Sequence, residues 1–160
     1  MSIEIGEKYH LYGTMLFKLC LVILANEADA EDAVQDTFLK YMRKNPEFSS
    51  SEHEKAWFIR VGTNVCKDIL RTRKRKATVD IDDFAELVGT QTTDPLETLE
   101  ILEQILRLPT KLRTVIYLFY VEGYKVEEIA KMIRTSASAV KMRLMRGRIL
   151  LKLEMEEEKQ

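Results

Sequence analysis

Val126-Glu127-Glu128-Ile129-Ala130-Lys131-Met132-Ile133-Arg134-Thr135-Ser136-Ala137-Ser138-Ala139-Val140-Lys141-Met142-Arg143-Leu144-Met145-Arg146-Gly147-Arg148-Ile149-Leu150-Leu151 carries two apolar rhythms of helical period, separated by a short polar step. Val126, Ile129, Ala130 and Ile133 form the inner face of a short helix, and Arg134-Thr135-Ser136 can turn. Val140, Leu144, Gly147 and Leu151 then fall on one side of a longer helix beginning near Ala137. Two helices joined this way are a helix-turn-helix, whose second helix enters the major groove of DNA. Its outward side holds Ser138, Met142 and Met145, with Lys141 on one flank and Arg146 on the other. Methionines between cations suit a groove, where thioethers lie on thymine methyls and cations reach phosphates or guanine edges. Helical hairpins with basic faces also occur in proteins that bind no DNA, so the rest of the chain has to decide.

Working outward, the 160 residues are 46% apolar and 32% charged, with only 6 Gly and 3 Pro. That composition predicts an all-α protein, and the length admits two small helical domains. The longest apolar run, Leu19 to Ala25, is far short of the roughly 20 residues that cross a bilayer, so no membrane insertion is expected. Met1 to Glu7 is acidic and polar, unlike a secretory signal, which points to the cytoplasm. Cys20 and Cys66 each fall on an apolar helix face without nearby Cys or His partners, so both are expected to be buried structural thiols rather than zinc ligands.

The net charge of −1 conceals strong segregation. His53 to Lys76 and Lys125 to Lys152 each carry eight basic residues against two acidic ones, a net +6, whereas Asp80 to Gln104 holds eight acids and no base. Two basic units flanking an acidic connector suit phosphate contacts at two separate places.

Helical periodicity covers about Ile5 to Ala25 through Leu16, Leu19, Cys20, Ile23 and Leu24. A second helix is expected near Asp29, where carboxylates favour a helix amino end, and Asn45-Pro46 stops it. Asn45 to Ser51 reads as a loop. A third helix runs from about Glu54 to Arg75 with Phe58, Val61, Gly62, Val65 and Ile69 on its core side. Arg60, Asn64, Lys67 and Arg71 line another side with Trp57 at their border, a stripe that fits along nucleic acid, although a lone Trp at a helix start is more often a core residue. Residues 77–94 read as a linker. The second unit spans 95–160: a helix through Leu96, Leu99, Leu102 and Leu106 is broken at Leu108-Pro109, Thr110 is expected to cap the next, and Gly123 to stop it.

Enzyme chemistry finds no constellation here. His10 and His53 stand alone in the sequence, no glycine-rich phosphate loop is present, and acid pairs such as Asp82-Asp83 and Glu127-Glu128 read as linker and helix-start charge. No metal site, no cofactor and no catalytic residue is expected.

With these elements in place, Leu108-Pro109-x-x-Leu112-Arg113-x-Val115, Tyr120 to Ala130, and Val140-Lys141-x-Arg143-Leu144-x-Arg146-Gly147-Arg148 resemble the −35-binding region of bacterial sigma factors. Asp29 to Leu39 resembles that family's polymerase-binding helix, and Trp57-Phe58-Ile59-Arg60-Val61-Gly62-x-Asn64 with Asp68 to Arg71 resembles its −10 recognition and melting helix. Order and spacing fit the extracytoplasmic function group, which lacks the extra domains of housekeeping sigma factors.

The resemblance implies a sigma factor that binds core RNA polymerase and promoter DNA, directs transcription initiation, and is held inactive by an anti-sigma factor. It implies polymerase binding through Asp32, Gln35, Asp36 and Phe38, and −10 DNA binding through Phe48, Trp57, Arg60, Asn64, Lys67 and Arg71. In it, Phe48 and Asn64 match a pocket for a flipped base. Ser138, Lys141, Met142, Arg143, Met145 and Arg146 are implied in −35 DNA binding. The domains implied are 1–76 (region 2-like) and 95–160 (region 4-like). The chain departs from the family pattern at Arg134, where glycine is usual, at Ala139, where threonine is common, and at Met142, which replaces a small polar residue. The rival reading is a stand-alone helix-turn-helix regulator, against which the Trp57, Arg60 and Asn64 stripe and the Phe48 loop argue.

Overall fold

The structure, a computed structural model, describes residues 2–72 and 95–158, with side chains described over 4–72 and 101–152. The chain divides into two compact units, Met1–Ala77 and Thr78–Gln160. The stretch 77–94 read as a linker, and the basic run 73–76, lie outside the described residues.

The first unit is a bundle of α1 (Ser2–Leu24), α2 (Glu27–Lys44) and α3 (Ser51–Thr72), each packed on the other two. Leu19, Cys20, Leu21, Val22, Ile23 and Leu24 are all buried, so the end of α1 is enclosed on every side, as expected of a helix apolar all round. Each such fully buried leucine contributes about 1.5–3 kcal/mol. The amino end of the bundle is instead aromatic: Phe58 lies 4.8 Å from Tyr12, 5.2 Å from Phe38 and 5.2 Å from Tyr41, ring centre to ring centre. Buried Glu54 ties α3 to α1 by accepting from Lys8 Nζ at 2.9 Å and Tyr12 OH at 2.8 Å. Cys20 and Cys66 are both buried, and their proximity was not legible in sequence. The hydrogen bond to Cys20, and then burial, push the Cys66 thiol well above its ordinary value.

Helix starts differ from the sequence reading because caps decide them. The second helix begins at Glu27 rather than Asp29, since the Asn26 side chain accepts the Asp29 amide at 2.9 Å. The third begins at Ser51 rather than Glu54, with the Ser50 hydroxyl accepting the His53 amide at 3.1 Å. Asn45, at φ 42°, closes α2 in the left-handed conformation that asparagine tolerates.

The second unit contains α4 (Pro95–Leu106), α5 (Thr110–Ile116) continuing into a π-helical turn at Tyr117–Val121, α6 (Val126–Met132) and α7 (Ala137–Glu158). Thr110 is not the cap expected of it: Pro109 takes that position, and Thr110 offers its carbonyl to the Thr114 hydroxyl at 2.9 Å. Buried Arg113 donates to the Leu108 carbonyl at 3.0 Å, satisfying an acceptor in the turn between α4 and α5. No periodicity announced the π turn. Within it Tyr117 is buried and Tyr120 half exposed, and Gly123, two residues beyond its end at Val121, takes φ 77°.

Candidate nucleic-acid and polymerase interfaces

The turn between α6 and α7 is held by the Thr135 amide, which donates to the Ala130 carbonyl at 2.9 Å, and each of the two helices opens on a local cap. The Glu128 carboxylate accepts the Lys125 amide at 2.9 Å at the start of α6, and the Ser136 hydroxyl accepts the Ala139 amide at 3.1 Å at the start of α7. Between them Arg134 sits at φ 56°. This left-handed conformation is the physical reason a glycine suits the position, and the arginine here adopts it nonetheless.

Beyond the turn, Val140, Leu144 and Gly147 point into the unit, as the sequence periodicity requires. Ser138, Lys141, Met142, Met145 and Arg146 are exposed, while Arg143 is half-buried at the edge of the stripe. The two methionines are 50% and 52% exposed, an apolar centre between cations on the outward face of the helix. Arg148 turns away toward the π turn, where its Nε donates to Tyr120 OH and its guanidinium lies 5.6 Å from the ring centres of both Phe119 and Tyr120. Arg148 belongs to the motif read from the sequence, but neither its contact with Tyr120 nor the apolar groove of about 330 Å³ beside it, lined by Ile101, Ile105, Ile116 and Tyr120, was legible there.

On the first unit, Asp32, Gln35 and Asp36 are exposed along one stripe of α2, but Phe38 is not with them. It is 5% exposed, 5.1 Å from the Tyr9 ring and 5.2 Å from Phe58. The structure therefore places Phe38 in the core and not on the exposed stripe with the other expected contact positions. Leu39 and Met42, each 46% exposed, occupy the stripe instead. The available signal was helical spacing, Leu39 standing four from Gln35 and three from Asp36, and Met42 three from Leu39.

Phe48, half-buried in the 45–50 loop, lies nearly parallel to Tyr41 (9°, 6.5 Å) and edge-on to Trp57 (66°, 6.0 Å) and His53 (90°, 5.3 Å). Trp57 is 8% exposed and enclosed by Tyr41, Phe48 and Phe58. The structure thus places Trp57 in the aromatic core, with its ring against Phe48, and not on the exposed stripe of α3 where DNA contact was expected. Arg60 and Arg71 are exposed, and Asn64 and Lys67 half-buried, on the adjoining face of α3. Arg71 is weakly held by Asp68 at 3.4 Å, a contact that solvent screens.

Residues 9–76 match the family Sigma-70 region 2, and residues 98–151 match Sigma-70, region 4. The chain is 31% identical over 160 residues to the extracytoplasmic function (ECF) RNA polymerase sigma factor SigW of Bacillus subtilis, covering 89% of this chain and 83% of SigW. It is 28% identical to RNA polymerase sigma factor SigV of the same organism, over 89% of this chain and 85% of SigV. Among solved structures, CnrH in complex with the cytosolic domain of CnrY superposes with a TM-score of 0.67 at 25% identity, covering 98% of this chain and 90% of that one. The fold is also that of the sigma factor RpoE from Bartonella quintana, solved with the anti-sigma factor NepR, at a TM-score of 0.72 and 20% identity over 96% and 97% of the two chains. No described helix is long and apolar enough to cross a membrane. A stand-alone regulator would leave the region 2 match without purpose, and the chain belongs to the ECF group of RNA polymerase sigma factors, which direct transcription initiation.

Proposed function

We propose that the two units divide promoter recognition between them. The first unit, residues 1–76, docks on core polymerase through the α2 stripe of Asp32, Gln35, Asp36, Leu39 and Met42. It opens the −10 element with Arg60, Lys67 and Arg71 on the backbone, Phe48 stacking on an unpaired base and Asn64 reading its edge. The second unit, residues 95–160, places α7 in the major groove of the −35 element. Residues 77–94 link the two. The observation that carries this division is the exposed methionine pair of α7, at 50% and 52%, set between Lys141 and Arg146. A face meant only for water would not leave two large apolar side chains at its centre.

The chain supplies recognition and strand opening, and phosphodiester chemistry stays with the polymerase, so it is not itself an enzyme and acts in the cytoplasm where polymerase works. Both solved relatives were captured with partner proteins, RpoE with an anti-sigma factor, and an anti-sigma factor is the expected regulator here.

Transcription in vitro with core polymerase, with and without the chain, on a promoter library tests the reading. Specific transcripts should require the chain and should respond to base changes at both elements. Phe48→Ala and Asn64→Ala should impair duplex promoters and recover in part on templates already opened at the −10 element. Equal defects on both templates would overturn the assignment to melting.

A further inference from the structure

His53 stands alone in the sequence, but the fold gives its ring two tasks in one place. The loop 45–50 leaves α2 at Asn45 in a left-handed conformation and enters α3 at the Ser50 cap. Within it, the Ser49 amide, next in the chain after Phe48, donates to Nδ1 of His53 at 3.2 Å, and the Ser49 hydroxyl lies 3.3 Å from the same nitrogen. The imidazole also meets the Phe48 ring at 90°, with 5.3 Å between centres. The backbone amide of His53 is bound in turn to Ser50 Oγ at 3.1 Å, so the residue that holds the loop is itself fixed to the first turn of α3. Accepting an amide at Nδ1 puts the ring proton on Nε2.

We propose that His53 is a positioning residue for base capture, shaping the 45–50 loop through Nδ1 and bracing Phe48 with its ring. The inference rests on Phe48 receiving the unpaired base, as proposed above. Tyr41 and Trp57 meet Phe48 ring to ring from α2 and α3, whereas His53 meets the ring and also accepts a hydrogen bond from the backbone next to it. Without the Nδ1 acceptor the Ser49 amide turns to water, the loop samples other shapes, and the stacking face is no longer prepared before the base arrives.

The test uses holoenzyme reconstituted from the full chain and core polymerase. Its probe is a forked promoter DNA carrying each of the four bases in turn at the unpaired −10 position. The readout is the ratio of affinities for the best and worst base. His53→Ala should lower this ratio about fivefold, the worth of about one hydrogen bond, with helical content and affinity for core polymerase unchanged. His53→Asn, whose Oδ1 reaches the place of Nδ1, should restore most of it, and His53→Gln, which reaches toward Nε2 instead, should not. Wild-type discrimination in His53→Ala overturns the proposal, as does better rescue by glutamine than by asparagine, which would mean direct contact with DNA. The Phe48→Ala arm reads the underlying assignment separately: a wild-type ratio there removes Phe48 as the stacking platform whatever the His53 variants do.

Discussion

A Cβ added at Gly147 would stand 2.7 Å from Cγ1 and 2.8 Å from Cδ1 of Ile116, so α7 lies against α5 at a distance only glycine allows. Ile116 is 1% exposed and has little room to yield. Since α7 presents the methionine stripe, this contact sets the height at which the stripe stands above the unit. Gly147→Ala should therefore cost about 1–3 kcal/mol in denaturant unfolding, the range for overpacking a core. Combined with Ile116→Val, which removes Cδ1, it should cost less than the two single changes added together. Strict additivity would mean the helix moves aside freely.

Arg134, at φ 56°, should become more stable as glycine. A left-handed backbone costs a side-chain-bearing residue roughly 1–2 kcal/mol, and glycine's extra unfolded-state freedom takes back about 0.5–1 of it. A net gain of about 0.5–1 kcal/mol in Arg134→Gly, measured by thermal unfolding, is the expected result. Arg134→Val should lose stability, because a branched side chain tolerates this conformation least.

The hydrogen bond to Glu54 raises the Lys8 ammonium above its ordinary value of 10.5, against the opposing effect of its burial. Burial first, and then the nearby Glu4 carboxylate, raise the Tyr41 hydroxyl above 10.0. Both groups hold their protons more tightly in the folded chain than in the unfolded one. The stability this supplies is fully present below the unfolded values near 10 and is lost as pH rises through the folded ones. Unfolding followed from pH 8 to 11.5 (roughly the span of both titrations) should show that decline. Glu54→Gln should lower stability by about 1.5–3 kcal/mol near neutral pH and make the alkaline decline shallower, since Lys8 has lost its partner.

Docking and core roles on α2 separate cleanly. Asp36→Arg and Leu39→Ala should weaken association with core polymerase while leaving unfolding nearly unchanged, because both side chains are exposed. Phe38→Ala should instead cost about 3–5 kcal/mol of stability. A Phe38 variant that is stable but defective in binding would return that residue to the interface.

On α7, charge and methionine should report different things. Arg146→Ala should weaken −35 binding with the salt slope reduced by about one for a phosphate contact. Met145→Ala should change which bases are preferred, at a cost of about 1 kcal/mol, and leave the slope alone. Holoenzyme affinities for a −35 library at several salt concentrations distinguish these, and unaltered base preference in Met145→Ala would place the helix differently in the groove.

Helical class, the helix-turn-helix and its outward stripe were all legible in the sequence, because a helix's own period decides which residues face in and which face out. The buried Val140, Leu144 and Gly147 and the exposed Met142 and Met145 follow from that period alone. The motifs likewise carried the family. Three other things were decided only by the tertiary structure, two of them through partners distant in the chain. Phe38 and Trp57 lie at the borders of their stripes, where period is ambiguous, and the aromatic layer around Phe58 and Tyr41 drew both inward. Cys20 and Cys66 met because α1 and α3 cross there, which no spacing along the chain encodes. Residues only four apart, Ser49 and His53, also escaped the reading: the backbone had to leave one helix and enter the next before that amide could find that ring.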